Sequence, residues 1–527
     1  DHRDLHLSIR RQRQMCIRDR YNKSNLMFEI KSSDLAARIG KIHTNSGSFE
    51  TPTLLPVLHP VNQLIDTELI KNIGFEAVMT NSYITWQKYG TDLADMDIHS
   101  IVEFNGPIMT DSGGYQILEY GKVDVEEIEI AKFQENIKSD LCNILDKPTS
   151  LKDDWKDARN SVLKTLDSCE NTLKNIEHKS AWMGPIQGGK FLDLVEFSAK
   201  RINGMNFDMY TLGSPTEIME SYDYRLLAKM IITAKKNISA EKPFHLFGLG
   251  HPTPLSMAVA LGCDTFDSAS YILYAKHGRY FTENGTRNID ELEYLPCICE
   301  ICKKYSVREI RSMEKIEKTK TIGIHNLWAL WKEIMSTRQA IKEGRLWEFV
   351  GTRARTHPKM WDAFKYLSEN LESIDNFQSR FKSKGIFLSS VPDNKRPELY
   401  IYQTKMIELF NQFVKQKLII IPITRNRPLF YDKKLQSILE KYKNNVIIGY
   451  IIPPFGFVPY QLTDIYPISH YEISETMKYD NVQIDAMLDL LMSQFKILNP
   501  ESISFIKDSK LDPVSYTHLT LPTNREV

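Results

Sequence analysis

Short apolar segments and helical patterns alternate through the first two thirds of the chain. Between about residues 28 and 326, runs of apolar and β-branched residues end in small or polar residues, and helical periodicity follows. Eight of these runs are predicted strands: Thr53–Leu58, Glu76–Asn81, Pro107–Asp111, Leu141–Asp146, Trp182–Gln187, Met209–Gly213, Phe244–Gly248 and Asp264–Asp267. Eight strand–helix units predict an α/β fold, a closed (β/α)8 TIM barrel, with a doubly wound open sheet as the alternative.

The pattern changes beyond the barrel segment. We expect a barrel domain over residues 26–370, with a metal-binding insertion at about 280–370, followed by a polar linker. Alternating strands and a helix predict a small α/β domain at 385–467. Residues 468–512 are interpreted as the start of a further C-terminal domain that is truncated.

Both ends of the chain differ in character from the rest. Residues 1–20 and 514–527 resemble translated sequencing-adapter read-through, so we expect neither segment to be native. The 67 basic residues equal the 67 acidic residues, so overall charge does not indicate a nucleic-acid partner. No apolar run reaches the ~18 residues of a membrane span, and the cysteines lack disulfide-framework spacing, so a cytoplasmic protein is expected.

Polar residues stand at the ends of five predicted strands, namely Asp111, Asp146, Gln187, Gly213 and Asp267. In a parallel barrel the carboxyl ends of the strands converge on one face. A single aspartate at such an end is often only a helix N-cap. Three carboxylates and a glutamine together predict a shared pocket.

Three acids in one pocket allow a division of labour. One carboxylate can attack a sugar carbon, a second can move a proton, and a third can accept hydrogen bonds from the ligand. Guanine suits this lining because its N1 and N2 hydrogens are donors for Asp146, while O6 can accept from Gln187 or from a backbone N–H near Gly213. Gly113 and Gly114 would let a planar ligand approach the backbone, and Tyr115 offers a stacking ring.

Asp264 is the alternative to Asp267 as the attacking carboxylate. Side chains alternate along a strand, so residues 264 and 267 point to opposite faces and only one of them can face the pocket. We favour Asp267 because it stands at the carboxyl end of its strand.

Cys297, Cys299 and Cys302, followed by His325, place four metal-binding side chains in one region. Three thiolates and one imidazole are typical of a tetrahedral zinc ion with no open coordination position. The sequence therefore predicts one structural zinc rather than a catalytic one.

Seven segments carry a resemblance to a known family. They are TDSGGYQ (110–116), SDLCNILDKPT (139–149), GPIQGG (184–189), HLFGLGHP (245–252), FDSASY (266–271), the cysteine cluster and GIHNLW (323–328). Together they resemble the tRNA-guanine transglycosylases. FDSASYILYAK and the long extension after the metal region are similar to the archaeosine-type enzymes of Archaea.

This resemblance implies a role for each matching position. Asp267 would be the nucleophile on the ribose C1′ of a guanosine in tRNA, Asp111 the proton-transfer acid and Asp146 the acid that reads the base. The remaining implied contacts to the substrate are Gln187, Gly213, Tyr115 and Ser112. The family also implies exchange of guanine at position 15, in the D-arm, for 7-cyano-7-deazaguanine (preQ0), one structural zinc per chain, and a homodimer.

Two other functions stay open at this point. One is the queuine-type reaction at the anticodon, and the other is a non-catalytic tRNA-binding paralogue. Arg353, Arg355, His357 and Lys359 could hold tRNA phosphates, or could simply form a solvated helix end. Archaeal relatives usually carry a PUA-type RNA-binding domain, and we attribute its absence from this sequence to truncation.

Overall fold

The computed structural model describes residues 26–90, 97–114, 125–373, 385–389, 395–412, 416–421, 433–442, 446–474 and 481–506. The two segments expected to be non-native lie outside these residues. The chain divides into two compact units, Asp1–Ser379 and Arg380–Val527. Among the helices described, none combines the length and the apolar character needed to cross a membrane.

A three-stranded antiparallel sheet opens the first unit. It consists of β1 (Met27–Asp34), β2 (Ala37–Thr44) and β3 (Gly47–Thr51). Its buried Ile42 and Phe49 pack in one cluster with Met79, Met109 and Met183, which lie on strands of the barrel that follows. This apolar cluster fills one part of the barrel interior, so a polar site must lie elsewhere in it.

Eight parallel strands form a closed barrel, which confirms the predicted TIM barrel. They are β4 (Thr53–Leu58), β5 (Val78–Asn81), β6 (Ile108–Asp111), β7 (Leu141–Asn143), β8 (Ala181–Ile186), β9 (Met209–Leu212), β10 (Phe244–Leu246) and β11 (Thr265–Ser268). The barrel closes where Thr265 of β11 pairs with Thr53 of β4. Every residue of β8 is buried, as expected for a parallel strand covered on both faces.

Helices follow the strands of the barrel. They are α1 (Thr67–Ile73), α2 (Ser82–Tyr89), α3 (Ile98–Ile101), α4 (Glu127–Asn136), α5 (Trp155–Asn175), α6 (Leu192–Asn203), α7 (Thr216–Glu220), α8 (Tyr224–Lys236), α9 (Pro252–Ala260) and α10 (Ser270–Lys276). Polar residues just before the first turn determine where several of these helices begin. Asn81 accepts from the Ile84 N–H at 2.8 Å at the start of α2, and Asp154 caps α5 in the same way.

A hairpin and five helices complete the first unit after the last barrel strand. They are β12 (Arg279–Thr282), β13 (Gly285–Asn288), α11 (Glu300–Lys304), α12 (Val307–Ser312), α13 (Lys315–Glu343), α14 (Leu346–Ala354) and α15 (Pro358–Glu369). The long helix α13 ends at Gly344, which adopts the left-handed conformation with φ 68°. Asn326 of α13 accepts from the Phe281 N–H at 2.9 Å, which ties this helix to the hairpin.

The second unit is an α/β arrangement with two sheets. Its elements are β14 (Ile386–Leu388), α16 (Pro397–Phe410), β15 (Lys417–Ile421), α17 (Lys433–Lys441), β16 (Val446–Ile452), β17 (Gly456–Pro459), β18 (Tyr471–Ile473), α18 (Asn481–Leu498) and β19 (Ile503–Phe505). The larger sheet has the order β17-β16-β15-β19, and β14 pairs with β18. Both sheets therefore include strands from each side of residue 467, where the sequence suggested a boundary.

Candidate active site

A cavity of about 1170 Å³ opens at the carboxyl ends of the barrel strands. Its lining includes all five residues predicted from the strand ends, namely Asp111, Asp146, Gln187, Gly213 and Asp267. The barrel topology brings them together although 156 positions in the sequence separate the first from the last. The cavity therefore brings these three aspartates together with the amide of Gln187.

Asp267 lies on β11, and the hydrogen bonds to it meet at one oxygen. Its Oδ1 accepts from the Gly248 N–H at 2.9 Å and lies 3.1 Å from Nε2 of His245. Among the described residues, Oδ2 has no hydrogen-bond partner, and the side chain lines the cavity. One oxygen is thus held while the other is free to face a ligand.

His245 is the residue that the sequence analysis missed. It lies on β10 directly beside Thr265 in the parallel pairing with β11, and no part of it is exposed. Its Nδ1 lies 2.9 Å from the Thr265 hydroxyl oxygen, and Phe247 packs edge-on against the ring at 4.7 Å. The signal was present in HLFGLGHP, but a histidine on an apolar strand resembles an ordinary core residue.

Asp111 ends β6 and is held through several contacts. Asn81 donates to its Oδ2 at 3.1 Å, and the Ser82 hydroxyl donates to its backbone oxygen at 2.7 Å. Burial first, and then the nearby charges of Asp146 and Asp267, raise the pKa of Asp111 to about 7. A carboxyl group with this pKa can both give and accept a proton near neutral pH.

Asp146 is held by an ordered chain of donors. The Thr149 N–H donates to the Ser214 hydroxyl oxygen at 2.7 Å, and that hydroxyl donates to Oε1 of Gln187 at 2.7 Å. The amide of Gln187 is thereby oriented so that its Nε2 donates to Oδ2 of Asp146. Burial raises the pKa of Asp146 to about 6, and the bond from Gln187 opposes that rise.

Two glycines leave room for this arrangement. A Cβ atom at Gly114 would lie 2.2 Å from Oδ1 of Asp146, and one at Gly213 would lie 2.1 Å from Nε2 of Gln187. Any side chain at either position would displace the polar groups that line the cavity. The Gly213 N–H itself donates to the Ile186 carbonyl at 2.9 Å, so a backbone donor to a ligand O6 would have to be a neighbouring N–H.

Three further predicted residues have different positions. The Ser112 hydroxyl is fully buried and donates to the Ile144 carbonyl at 2.9 Å, so its predicted contact with substrate stays a prediction. Tyr115 lies outside the described residues. Asp264 is buried just before β11, where it is paired with Arg38 and accepts from the Phe244 N–H at 2.8 Å, and it is not part of the cavity lining.

The predicted phosphate-binding segment is mostly committed to internal contacts. Arg353 is buried and donates through Nε and Nη2 to the buried carboxylate of Glu333 at 2.9 Å. Arg355 donates to the Gly351 carbonyl at 2.8 Å and lies over the Trp361 ring. These two arginines therefore have structural partners.

Aromatic rings lie at the mouth of the cavity. The Tyr222 ring is 48% exposed, has a left-handed backbone with φ 59°, and stacks on His357 at 5.1 Å with 15° between the planes. Tyr274 also lines the cavity, and the Arg279 guanidinium lies 5.3 Å from its ring centre. An exposed aromatic in a strained backbone beside a cavity is typical of a binding position.

The four predicted metal ligands come together in the first unit. One donor atom from each of Cys297, Cys299, Cys302 and His325 lies within 4.8 Å of the others. Donors bound to one tetrahedral ion at about 2.3 Å would lie about 4 Å apart, so this cluster could hold a metal ion. Nε2 of His325 lies 2.9 Å from the Phe281 carbonyl, which leaves Nδ1 to face the sulfur atoms.

Comparisons with known proteins agree with the geometry. Residues 33–359 match the family described as Queuine tRNA-ribosyltransferase, and residues 399–515 match a domain family of unknown function, DUF5591. Three relatives named tRNA-guanine(15) transglycosylase are similar to the chain. The protein of Sulfolobus acidocaldarius is 39% identical, with 86% of this chain and 90% of the relative covered. The protein of Saccharolobus solfataricus is 39% identical, with 92% of this chain and 97% of the relative covered. The protein of Methanocaldococcus jannaschii is 36% identical, with 86% of this chain and 70% of the relative covered.

The raised pKa of Asp111 makes a testable stability prediction. An acid whose pKa rises on folding binds more protons in the folded state, so folding stability falls as pH increases from about 4 to about 7. Asp111→Asn removes this effect. Between pH 4 and pH 8 we expect the stability of the variant relative to wild type to improve by roughly 2–4 kcal/mol in denaturant unfolding.

The control is Asp167→Asn, because Asp167 is exposed on α5. Its stability relative to wild type should change little over the same pH range. A constant difference between Asp111→Asn and wild type at both pH values would show that the pKa of Asp111 is not raised.

Proposed function

The chain belongs to the queuine tRNA-ribosyltransferase family, and on that premise we propose that it exchanges guanine at position 15 of tRNA for 7-cyano-7-deazaguanine. The observation that carries the proposal is the cavity that combines Asp111, Asp146 and Asp267 with the oriented amide of Gln187. The names of the archaeal relatives support position 15 as the target.

The first half of the reaction breaks the bond between ribose and guanine. Oδ2 of Asp267 attacks C1′ as the C1′–N9 bond breaks, and the electron pair of that bond leaves with guanine. Asp111 supplies the proton that makes the departing guanine neutral, and its pKa of about 7 suits this step. The product is a covalent ester between Asp267 and the ribose of the tRNA.

The second half reverses these movements with a new base. The incoming base loses its N9 proton to Asp111, and N9 forms a bond to C1′ as the ester bond to Asp267 breaks. The carboxylate of Asp267 is thereby restored. The same two carboxyl groups serve both halves because the leaving and entering bases occupy one cavity.

Asp146 and Gln187 suit recognition of a guanine-like base. The carboxylate can accept from the N1 and N2 hydrogens, and the Nε2 amide group of Gln187 can donate to O6. A site built for these hydrogen bonds rejects a base that lacks them, because its buried polar groups would be left unpaired. 7-cyano-7-deazaguanine keeps the same edge, so both bases fit this recognition.

Exchange of labelled guanine into unmodified tRNA tests the proposed function. We expect the purified protein to catalyse exchange and Asp267→Ala to abolish it, since the variant lacks the carboxylate on which the proposed ester forms. With equal concentrations of free base, we expect 7-cyano-7-deazaguanine to enter at position 15 and queuine not to enter at the anticodon.

Asp264→Asn serves as the matched control. Asp264 belongs to a buried ion pair outside the cavity, so this change should lower the unfolding temperature but leave exchange by the folded fraction intact. Insertion of queuine at the anticodon would replace the proposal with the queuine-type reaction. A folded protein that binds tRNA without any exchange would indicate the non-catalytic paralogue.

We propose zinc as the metal of the cysteine cluster. Three sulfur donors and one imidazole nitrogen are the set that zinc prefers in structural sites, and they leave no position for a substrate. The ion would join the loop of Cys297, helix α11 and helix α13. Its role is to hold these elements, and the proposed chemistry does not use it. The homodimer that the family resemblance implies stays a prediction.

Removal of the metal should therefore affect stability first. We expect metal analysis of the purified protein to give about one zinc per chain, and chelation or Cys299→Ser to lower the unfolding temperature by roughly 5 °C or more. Cys169→Ser is the control, because this buried cysteine lies outside the cluster and its loss should not remove zinc. A metal-free protein with unchanged thermal stability would contradict the structural role.

The rim of the cavity is where we propose that the tRNA strand enters. A guanosine can reach Asp267 only after leaving its stack, which exposes the faces of the neighbouring bases. Exposed aromatic rings such as Tyr222 can stack on those faces, and cationic Arg279 beside Tyr274 can neutralise phosphate.

Tyr222→Ala should weaken this contact. We expect the KM for tRNA to rise roughly 5- to 100-fold with little change in kcat, since stacking on one base contributes ~1–3 kcal/mol. Tyr222→Phe should retain the effect of the ring, and Phe197→Ala on the outer helix α6 is the control for loss of an exposed aromatic. For a tRNA with an abasic site beside position 15, Tyr222→Ala should not change the KM. If Tyr222→Ala raises the KM equally for the intact and the abasic tRNA, stacking on that neighbouring base is excluded.

A further inference from the structure

We propose that His245 controls how fast the covalent intermediate breaks down, by donating a hydrogen bond to the oxygen of Asp267 that does not bond to the sugar. This inference rests on the proposed function, because it concerns the ester that Asp267 would form. His245 is fully buried behind Asp267 and does not line the cavity, so it acts as a positioning residue.

The strand pairing explains how His245 reaches its partners. His245 and Thr265 are neighbours in the parallel pairing of β10 with β11. Residues 265 and 267 share one face of β11, since side chains alternate along a strand. The imidazole therefore spans both side chains, with Nδ1 at 2.9 Å from the Thr265 hydroxyl and Nε2 at 3.1 Å from Oδ1 of Asp267.

These contacts define which imidazole nitrogen carries the proton. Nε2 faces a carboxylate oxygen, so an attractive contact requires a hydrogen on Nε2. In neutral histidine Nδ1 is then an acceptor, and the Thr265 hydroxyl can donate to it. The carboxylate thus selects the tautomer in which His245 donates to Asp267, and the Thr265 hydroxyl provides the donor that Nδ1 then needs.

The Gly248 N–H donates to the same oxygen of Asp267 at 2.9 Å. Gly248 has φ +70°, and a Cβ at this position would lie 2.8 Å from the Thr216 hydroxyl oxygen, so this turn favours glycine. Two N–H groups therefore converge on Oδ1. Oδ2 has no partner among the described residues and is the oxygen left to attack C1′.

Donors to Oδ1 act in opposite directions on the two halves of the reaction. When the ester forms, the carboxylate loses its negative charge, so the donors slow this step. When the ester breaks, the electron pair of the C1′–Oδ2 bond returns to the carboxylate, and hydrogen bonds to Oδ1 stabilise the charge that develops. Loss of His245 should therefore slow breakdown specifically.

The experiment follows the preformed adduct between the enzyme and a tRNA transcript. The adduct is trapped on a denaturing gel, and its decay is timed after addition of excess guanine. We expect His245→Phe to slow this decay about 10- to 100-fold, the effect of losing one hydrogen bond to a charged group, and to increase the fraction of adduct at steady state.

Three further variants separate donation from packing. The side chain of His245→Gln is long enough to place an amide donor near the Nε2 position. This variant should therefore restore the decay rate to within about 5-fold of wild type. Thr265→Val leaves Nδ1 of the donating tautomer buried without a donor, which makes that tautomer less favourable, and should slow decay in the same direction. Thr211→Val is the matched control, because Thr211 is buried on β9 and its hydroxyl has no partner among the described residues.

The outcomes distinguish this inference from the proposed function. A wild-type protein that forms no adduct and exchanges no guanine would count against the proposed function itself. If wild type forms the adduct, decay at the wild-type rate in both His245→Phe and Thr265→Val would overturn the role of His245. A folded His245→Phe protein that forms adduct more slowly without accumulating it would also overturn it, because purely structural support predicts that result.

Discussion

The crowding of three carboxylates in one cavity is the constraint on which the rest of the site depends. Burial, together with the charges of Asp146 and Asp267, raises the pKa of Asp111 to about 7, because each negative charge makes the next one harder to form. Three acids on mobile loops could move apart to relieve this repulsion. The closed barrel holds them at or just beyond its strand ends, and the repulsion is expressed as a shifted pKa.

Neutral donors and missing side chains make that crowding tolerable. Gln187 donates to Asp146, and Gly248 donates to Asp267, so two of the carboxylates are stabilised by uncharged N–H donors. Gly114 and Gly213 leave the space into which Asp146 and Gln187 extend. The cavity is therefore polar, ordered and still open enough to admit a base.

Much of this fold and site could be predicted from sequence because both follow local rules. Buried parallel strands such as β8 have continuous apolar runs, and barrel topology brings their polar ends together. Long-range pairing is different. The role of His245 depends on its register beside Thr265, and the burial of Arg353 depends on Glu333, which lies on another helix. Neither partner can be identified from composition or periodicity.

The antiparallel sheet β1–β3 and the pairing of β14 with β18 were likewise absent from the predictions. Strands β1 and β2 have eight residues each, but the partners of all these strands are set by packing rather than by a repeated pattern. Strands of three residues, such as β14 and β18, carry too few alternating positions to specify a register on their own.

The donors to Asp146 and to Asp267 come from different parts of the barrel, which separates base recognition from bond exchange. Gln187 and Ser214 orient Asp146, whereas His245 and Gly248 hold Asp267. The negative charges of Asp146 and Asp267 both raise the pKa of Asp111, in addition to the effect of burial. A guanine-like base that donates to Asp146 would keep that carboxylate ionised, and its charge would keep Asp111 protonated. Binding of the correct base would thereby keep available the proton that the departing guanine requires.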